Sequence, residues 1–217
     1  MPKAVIFDMD GVLVDSMPIH WQAWREAFEA YAIDIKYEDF IKTPGLTCEA
    51  TALLLGADVL PEAEIPNLGD RQREAAKRML AEKYPPIPGA EDLIRRLDLA
   101  GWRMAIATSG PLANIQLLLR NLPEARRITA FITSEDVQRG KPDPEVFLKA
   151  AERLGVMPRE AVVIEDSKVG LEAARRGGFT AVALASTFSP EELESLAGLV
   201  VGSLHELSPD VLVKLFA

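Results

Sequence analysis

The amino-acid sequence predicts an α/β protein, in which a mostly parallel sheet is covered by helices on both faces and interrupted by a helical insertion. Two patterns predict this fold class. Six short apolar runs alternate with stretches of helical spacing, as expected for parallel strands joined by crossover helices. One long segment after the first run breaks the alternation and carries helical patterns only. The 217 residues allow one large domain or a domain with a smaller companion.

The individual elements follow from the apolar runs and from the residues that end them. Short apolar runs that stop abruptly at polar residues are typical of buried strands. Gly101 and Gly155 each end a helical stretch, and Pro144 suits the first residue of a helix. The predicted strands are 3–7, 103–107, 130–133, 161–164, 180–184 and 199–201, and the predicted helices between them are 91–100, 112–121, 144–154 and 168–176.

The segment that interrupts the alternation is expected to form a helical domain of its own. It has helical patterns over 20–31 and 71–83, shows no convincing strand, and is followed by the sequence PPIPG. The expected domains are a sheet domain of residues 1–15 and 88–217 and an inserted helical domain of residues 16–87, with hinges near 15–18 and 84–89.

Composition and charge exclude several classes of protein. Hydrophobic residues make up 48% of the chain, which excludes intrinsic disorder for most of its length. The 24 basic against 33 acidic residues give a net charge of −9, so neither nucleic acid nor a membrane surface is an expected partner. The single cysteine, Cys48, forms no internal disulfide, and no secretory signal or membrane-spanning stretch is recognisable. We expect a soluble cytoplasmic protein that is a monomer, with a dimer left open.

Polar residues follow the apolar runs where open α/β sheets bind ligands, beyond the carboxyl ends of the strands. The candidates are Asp8, Asp10, Thr108, Ser109, Lys141, Glu165 and Asp166. If the four carboxylates meet at one edge, they cannot all stay ionised without a cation. All-oxygen ligands predict Mg²⁺, and a lysine with a threonine adds the positive charge and the donors that a phosphoryl group needs.

The same residues carry a resemblance to a known family. Their order and spacing resemble the four motifs of the haloacid dehalogenase superfamily, and the helical insertion is similar to that of its beta-phosphoglucomutase and sugar-phosphatase branch. The resemblance covers essentially the whole chain and implies a Rossmann-like core with a mobile helical cap. The motifs are Asp8-x-Asp10-Gly-x-x-x-Asp15, Thr108, Lys141 and Glu165-Asp166.

The resemblance implies a role for each matched residue. It makes Asp8 the nucleophile that becomes an aspartyl phosphate, and Asp10 the general acid and base. An acid at position 10 favours phosphoryl transfer over dehalogenation, because an alkoxide leaving group needs a proton and a halide does not. The implied ligands of Mg²⁺ are the carboxylates of Asp8 and Asp166, the carbonyl of Asp10 and, directly or through water, Glu165; the implied phosphate-binding residues are Thr108 and Lys141, with Ser109 as a further candidate.

Within the insertion, His20, Gly45 and Lys77 are candidates for contact with substrate. His20 matches a histidine of the family, although a purely structural role on its helix stays open. Lys77, like Arg78, is equally compatible with a solvent-exposed helix position. Mutases of the family usually carry an arginine at the position of Cys48. Without that arginine the chain lacks a side chain that could bind a second phosphate group, and this favours a phosphatase over a mutase.

The predicted function is therefore that of a magnesium-dependent phosphatase, which hydrolyses a small phosphorylated metabolite such as a sugar phosphate through an aspartyl phosphate. Two alternatives stay open. One is a beta-phosphoglucomutase that interconverts beta-glucose 1-phosphate and glucose 6-phosphate, and the other is a catalytically silent protein that binds phosphate or metal as a sensor. The plainest alternative is that the acids at the strand ends are only turn formers and helix caps.

Overall fold

The computed structural model describes residues 3–43, 48–56 and 60–216. Its strands are β1 (Ala4–Phe7), β2 (Arg103–Ala107), β3 (Ala130–Ile132), β4 (Ala161–Glu165), β5 (Thr180–Leu184) and β6 (Leu199–Val201). Its helices are α1 (Met17–Glu29), α2 (Tyr37–Phe40), α3 (Cys48–Gly56), α4 (Ile65–Glu82), α5 (Ala90–Leu99), α6 (Leu112–Asn121), α7 (Glu145–Leu154), α8 (Lys168–Arg176), α9 (Pro190–Leu193) and α10 (Pro209–Val213).

The strands form one parallel sheet in the order β3-β2-β1-β4-β5-β6. The predicted α/β class with a Rossmann-like parallel sheet is therefore confirmed. The central strand β1 pairs with β2 on one side and β4 on the other, so that Phe7 lies opposite both Ile106 and Ile164. After β1 the chain adds β2 and β3 on one side of the sheet, and it then adds β4, β5 and β6 on the other side. The carboxyl ends of β1 and β4 consequently flank the point where the strand order reverses, which is where such sheets bind ligands.

Burial on both faces explains why the strands are continuous apolar runs. Every residue of β1 and β4 is buried, as expected for strands covered on two sides. Alternate residues such as Ile6 and Val163 share one apolar cluster with Phe147 of α7 and Leu171 of α8. The residues between them, such as Val5, point to the opposite face and are also buried.

The third strand is one residue shorter than predicted. Thr133 leaves β3 because its side chain caps a short turn: Oγ1 accepts a hydrogen bond from the Glu135 amide at 3.3 Å and donates one to Asp136 at 2.9 Å. Pro144 also differs slightly from expectation, since it is the N-cap of α7 and not its first helical residue.

The chain divides into two compact units, one of Met1–Asp15 with Pro85–Ala217 and the other of Ser16–Tyr84. The second unit contains α1 to α4, and its described residues form no strand. Its apolar core includes Trp24 and Phe28 of α1, Phe40 of α2 and Leu68 of α4. At the edge of the first unit, the two segments that lead into and out of the second lie side by side. The Asp15 amide donates to the Pro85 carbonyl at 2.9 Å.

Helix α4 begins earlier than the helical pattern over 71–83 predicted. It starts at Ile65, with Pro66 in its first turn. Proline is tolerated there because backbone N–H groups in the first turn of a helix have no partner within the helix. Ile65 and Leu68 are buried in the core of the second unit, so tertiary packing adds almost two turns to the helix. No helix among the described residues is both long enough and apolar enough to cross a lipid bilayer.

Candidate active site

Three buried carboxylates meet at the carboxyl ends of β1 and β4. Asp8 follows β1 directly, and its amide donates to the carbonyl of Ile164 at 2.9 Å, which extends the pairing of the two strands by one residue. Glu165 ends β4 and Asp166 follows it. Asp8, Glu165 and Asp166 each offer an oxygen within 4.8 Å of the others, and each residue is at most 6% exposed. Adjacent parallel strands therefore bring together acids that are more than 150 positions apart in the chain.

Lys141 places one positive charge against this cluster. It lies in the loop before α7, and its Nζ donates to Asp8 Oδ1 at 2.5 Å and to Glu165 Oε1 at 3.1 Å. Its side chain is only 6% exposed, and its ammonium also lies 4.9 Å from the centroid of the Phe147 ring. One lysine cannot balance the charge of three ionised carboxylates. An anionic substrate could therefore bind next to this cluster only if a second cation were also present.

The protonation of the cluster reflects this excess of negative charge. Burial raises the pKa of Asp8 to about 8, Lys141 opposes the rise, and Glu165 and Asp10 add to it. Burial, together with the charges of Glu165 and Asp8, raises the pKa of Asp166 well above its usual range. Burial alone would lower the pKa of Lys141, but its ion pairs with Asp8 and Glu165 outweigh that effect and raise it. Without a cation, burial therefore favours the protonated forms of Asp8 and Asp166.

Glu165 differs from its two neighbours because protein donors engage both of its oxygens. Oε1 accepts from Lys141 and, at 2.9 Å, from the hydroxyl of Ser167, while Oε2 accepts from the amides of Asp166 at 2.7 Å and Ser167 at 3.2 Å. A Cβ atom at Gly170 would overlap the Glu165 carboxylate, so this carboxylate needs a glycine at that position of α8. The arrangement suits Glu165 to orienting the other groups, while Asp8 and Asp166 have more capacity to bind a cation.

Asp10 lies on the tight loop that follows Asp8. Gly11 has a φ of +80°, and the loop is closed by hydrogen bonds such as that from the Gly11 amide to the Val14 carbonyl at 2.7 Å. A Cβ atom at Gly11 would overlap the Asp166 carboxylate, so the backbone approaches the acids closely. Oδ1 of Asp10 is buried and has no hydrogen-bond partner among the described residues. A buried polar atom without a partner is consistent with a catalytic role or with a contact to an ion, a water or a ligand.

Thr108 and Ser109 follow β2, the other neighbour of β1. Thr108 is 1% exposed, its amide donates to the Ile132 carbonyl at 3.0 Å, and its Oγ1 accepts from the Gly110 amide at 2.9 Å. Ser109 is exposed. The sheet therefore places Thr108 at the same carboxyl edge as the acids, with the hydroxyl of Ser109 open to solvent.

Three hydroxyl residues that the sequence analysis did not select also hold the site together. Thr187 Oγ1 donates a very short hydrogen bond to Asp166 Oδ2, and Ser186 Oγ donates to the Gly11 carbonyl at 2.6 Å. Ser167 donates to Glu165, as described above. Ser186 and Thr187 follow β5, so the strand-end pattern that selected the other residues would have found them if it had been applied to the fifth run.

Within the second unit, the three candidate residues have different surroundings. His20 of α1 lies with its Nδ1 3.2 Å from Nε2 of Gln72 on α4. Lys77 is exposed on α4, and the neighbouring Arg78 pairs with Glu26 at 2.6 Å. Gly45 lies outside the described residues.

Comparison with known proteins agrees with this architecture. A sequence model of the haloacid dehalogenase-like hydrolases matches residues 2–178. The chain is 34% identical to the phosphorylated carbohydrates phosphatase of Thermotoga maritima, over 81% of this chain and 82% of that protein. It is 33% identical to the fructose-1-phosphate phosphatase YqaB of Escherichia coli, over 82% and 94%. The crystal structure of beta-phosphoglucomutase from Clostridium difficile shares the fold, with a TM-score of 0.82 at 22% identity, over 100% and 97% of the two chains.

Proposed function

Because the chain belongs to the haloacid dehalogenase-like hydrolases, we propose that it is a magnesium-dependent phosphatase that acts on a small phosphorylated metabolite, with sugar phosphates as the substrate class. The observation that carries the proposal is the buried cluster of Asp8, Glu165 and Asp166 with Lys141 held against it. The two phosphatases named above support the substrate class, since their names describe phosphorylated carbohydrates and fructose 1-phosphate.

The donor set fits a magnesium ion. The carboxylates of Asp8 and Asp166 are its proposed ligands, with the carbonyl of Asp10 as a third and Glu165 orienting the other groups. All are oxygen donors, which Mg²⁺ prefers, and the cluster carries more negative charge than Lys141 alone balances. When bound, the ion supplies positive charge next to the phosphoryl oxygens during transfer.

Asp8 and Asp10 divide the chemistry between them. An Asp8 carboxylate oxygen attacks phosphorus and forms an aspartyl phosphate, while the bond from phosphorus to the ester oxygen breaks. Asp10 gives its proton to that departing oxygen and then takes a proton from the water that attacks the aspartyl phosphate. The second attack breaks the bond from phosphorus to Asp8, so that the carboxylate is restored and inorganic phosphate is released. Lys141, Thr108 and Ser109 stabilise the phosphoryl oxygens.

The test measures inorganic phosphate released from a chromogenic phosphate ester and from a panel of sugar phosphates in Mg²⁺. Asp8→Asn should abolish release, and Asp10→Asn should lower kcat by about 10²- to 10⁴-fold, as expected for loss of a general acid and base. Asp210→Asn is the matched control, because it makes the same change at an exposed position of α10. Wild-type turnover in Asp8→Asn would refute the proposed role of the nucleophile.

The same panel separates the phosphatase from its alternatives. Beta-glucose 1-phosphate is included, and glucose 6-phosphate is measured beside inorganic phosphate. Accumulation of glucose 6-phosphate without phosphate release would identify a mutase and overturn the proposal. Absence of turnover with every ester, together with binding of phosphate or Mg²⁺, would identify a binding protein.

A further inference from the structure

The buried amide of Gln72 connects two other polar side chains of the helical unit. Gln72 lies on α4 and is only 5% exposed. Cys48, the first residue of α3, has its Sγ 3.3 Å from Gln72 Oε1, and His20 of α1 has its Nδ1 3.2 Å from Gln72 Nε2. Three helices thus contribute to one chain of hydrogen bonds, and both ends of the Gln72 amide are used.

The thiol determines the direction of this chain. Burial raises the pKa of Cys48, against a lowering effect of Arg73, so the group stays a protonated thiol at neutral pH. The thiol proton has two acceptors within reach, the Gly69 carbonyl at 3.8 Å and Oε1 of Gln72 at 3.3 Å, and the shorter contact is the one to Gln72. A carboxamide oxygen can only accept a proton. The oxygen of Gln72 therefore faces Cys48, and its NH₂ group faces His20. Since an N–H group points at Nδ1 of His20, that nitrogen must accept, and the imidazole proton resides on Nε2.

We propose that Cys48 and Gln72 are positioning residues that hold His20 in a single tautomer, with Nδ1 accepting from Gln72 and Nε2–H presented as a hydrogen-bond donor. A ring fixed in this way donates to oxygen acceptors, such as the hydroxyl and phosphoryl oxygens of a phosphorylated sugar. That second step rests on the function proposed above. The tautomer itself follows from contacts within the helical unit alone.

Nuclear magnetic resonance of the full-length protein labelled with ¹⁵N-histidine tests the tautomer. The chain has two histidines, so the variant His205→Gln assigns both rings. We expect His20 to show an unprotonated Nδ1 and a protonated Nε2 at neutral pH. A mixture of tautomers, or a proton on Nδ1, would overturn the proposal.

Substitutions within the hydrogen-bond chain test its cause. Gln72→Glu replaces the donor facing His20 by an acceptor, so Nδ1 should become protonated. Cys48→Ala removes the thiol that orients the amide and should yield a mixture of tautomers, whereas Cys48→Ser keeps a donor and should restore the single one. Gln22→Glu is the matched control, because it adds the same charge at an exposed position of α1. An unchanged His20 spectrum in folded Gln72→Glu protein would refute the positioning role.

A kinetic measurement tests the link to substrate separately. On a sugar phosphate that the wild type hydrolyses, and at a pH where the ¹⁵N spectrum shows a neutral His20 ring in the variant, Gln72→Glu should raise KM about 3- to 10-fold, as expected for the loss of one hydrogen bond, with a smaller effect on kcat. If the spectra change as expected and KM does not, the tautomer is fixed but His20 does not donate to that substrate. If no ester is hydrolysed at all, the proposed function fails while the spectra still decide the tautomer.

Discussion

At the scale of single residues, Thr187 shows how a hydroxyl group can control a proposed metal ligand. Its Oγ1 donates to Oδ2 of Asp166. This hydrogen bond restrains the rotation of the carboxylate. Groups that orient metal ligands in this way affect metal affinity even though they do not touch the ion.

We therefore expect Thr187→Val to weaken Mg²⁺ binding about 10-fold, because the Asp166 carboxylate loses the donor that orients it. Isothermal titration calorimetry with Mg²⁺ measures the effect without any substrate. Thr187→Ser keeps the hydroxyl and should bind Mg²⁺ nearly as well as the wild type. Equal affinity in the valine variant would mean that Asp166 is oriented by other contacts or is not a ligand.

The protonation of Asp8 leads to a second prediction, on pH. Burial raises the pKa of Asp8 to about 8, so below that pH the incoming ion must displace a proton. We expect the affinity for Mg²⁺ to increase as pH rises from about 6 to about 8, with release of protons on binding. Calorimetry in buffers of different ionisation enthalpy counts those protons. A pH-independent affinity would contradict the assignment, and Asp8→Asn should show a weaker dependence because it removes one of the two carboxyl groups whose pKa burial raises.

The sequence predicted which residues form the cluster, but it did not predict which hydrogen bonds each of them makes. Asp8, Lys141 and Asp166 could be found because each occupies a polar position at a strand end or before a helix. The role of Glu165 could not, since it depends on which donors reach each oxygen in three dimensions. Thr187 was missed for a different reason: it follows the fifth apolar run, whose end was not inspected for polar residues, and only the fold shows that its hydroxyl donates to Asp166.

At the scale of structural elements, the loop after β1 depends on Gly11. This residue has a φ of +80°, and a Cβ atom there would overlap the Asp166 carboxylate. Gly101, between α5 and β2, has a similar φ of +74°, but a Cβ atom there would meet nothing within 4 Å. A comparison of alanine substitutions at the two positions therefore distinguishes the effect of backbone strain from the effect of displacing Asp166.

We expect Gly101→Ala to lower the free energy of unfolding by about 1–2 kcal/mol, from the strain of a left-handed backbone, and Gly11→Ala to lower it by at least as much, because its Cβ atom also overlaps Asp166. Only Gly11→Ala should also weaken Mg²⁺ binding, by about 10-fold or more, since it displaces a proposed ligand. Chemical denaturation and calorimetry measure the two effects. If both variants bound Mg²⁺ like the wild type, the close approach of Gly11 to Asp166 would have no role in the site.

The elements themselves were predictable to different degrees. The six strands were found because strands buried on both faces are continuous apolar runs, as in β1 and in residues 161–164 of β4. The start of α4 was not found, because Pro66 and Gly69 interrupt its helical pattern. The unfavourable helix propensity of Pro66 and Gly69 is outweighed by the burial of Ile65 and Leu68 in the core of the helical unit. That burial depends on the tertiary structure and cannot be read from the local sequence.

At the scale of the whole molecule, the buried acids connect folding to pH and to metal. Burial raises the pKa of Asp8 in the folded protein to about 8, from 3.8 for an exposed aspartate. Since the folded state binds this proton more tightly than the unfolded chain does, the stabilisation it provides is complete below about pH 4 and is lost as pH rises through about 8. The salt-bridged Glu145 and Glu172 have pKa values lowered from 4.5 to about 2. The stabilisation that they provide is present above about pH 4.5 and is lost as pH falls toward about 2, so it does not change between about pH 5 and about pH 8.

We therefore expect the metal-free protein to become less stable as pH rises from about 5 to about 8, with a slope of up to about 1.4 kcal/mol per pH unit for each proton that the cluster retains. The measurement is urea denaturation across that range in the presence of a chelator. Asp8→Asn cannot lose this proton and should show a shallower decline, while the repulsion from the net charge of −9 is reduced by only one unit. Saturating Mg²⁺ should reverse the trend, because the ion binds the ionised carboxylates of the folded state and its affinity grows as they lose protons. A metal-free stability that rises over this range, with no difference between wild type and Asp8→Asn, would show that the acids are already ionised in the folded protein and that Lys141 alone balances them.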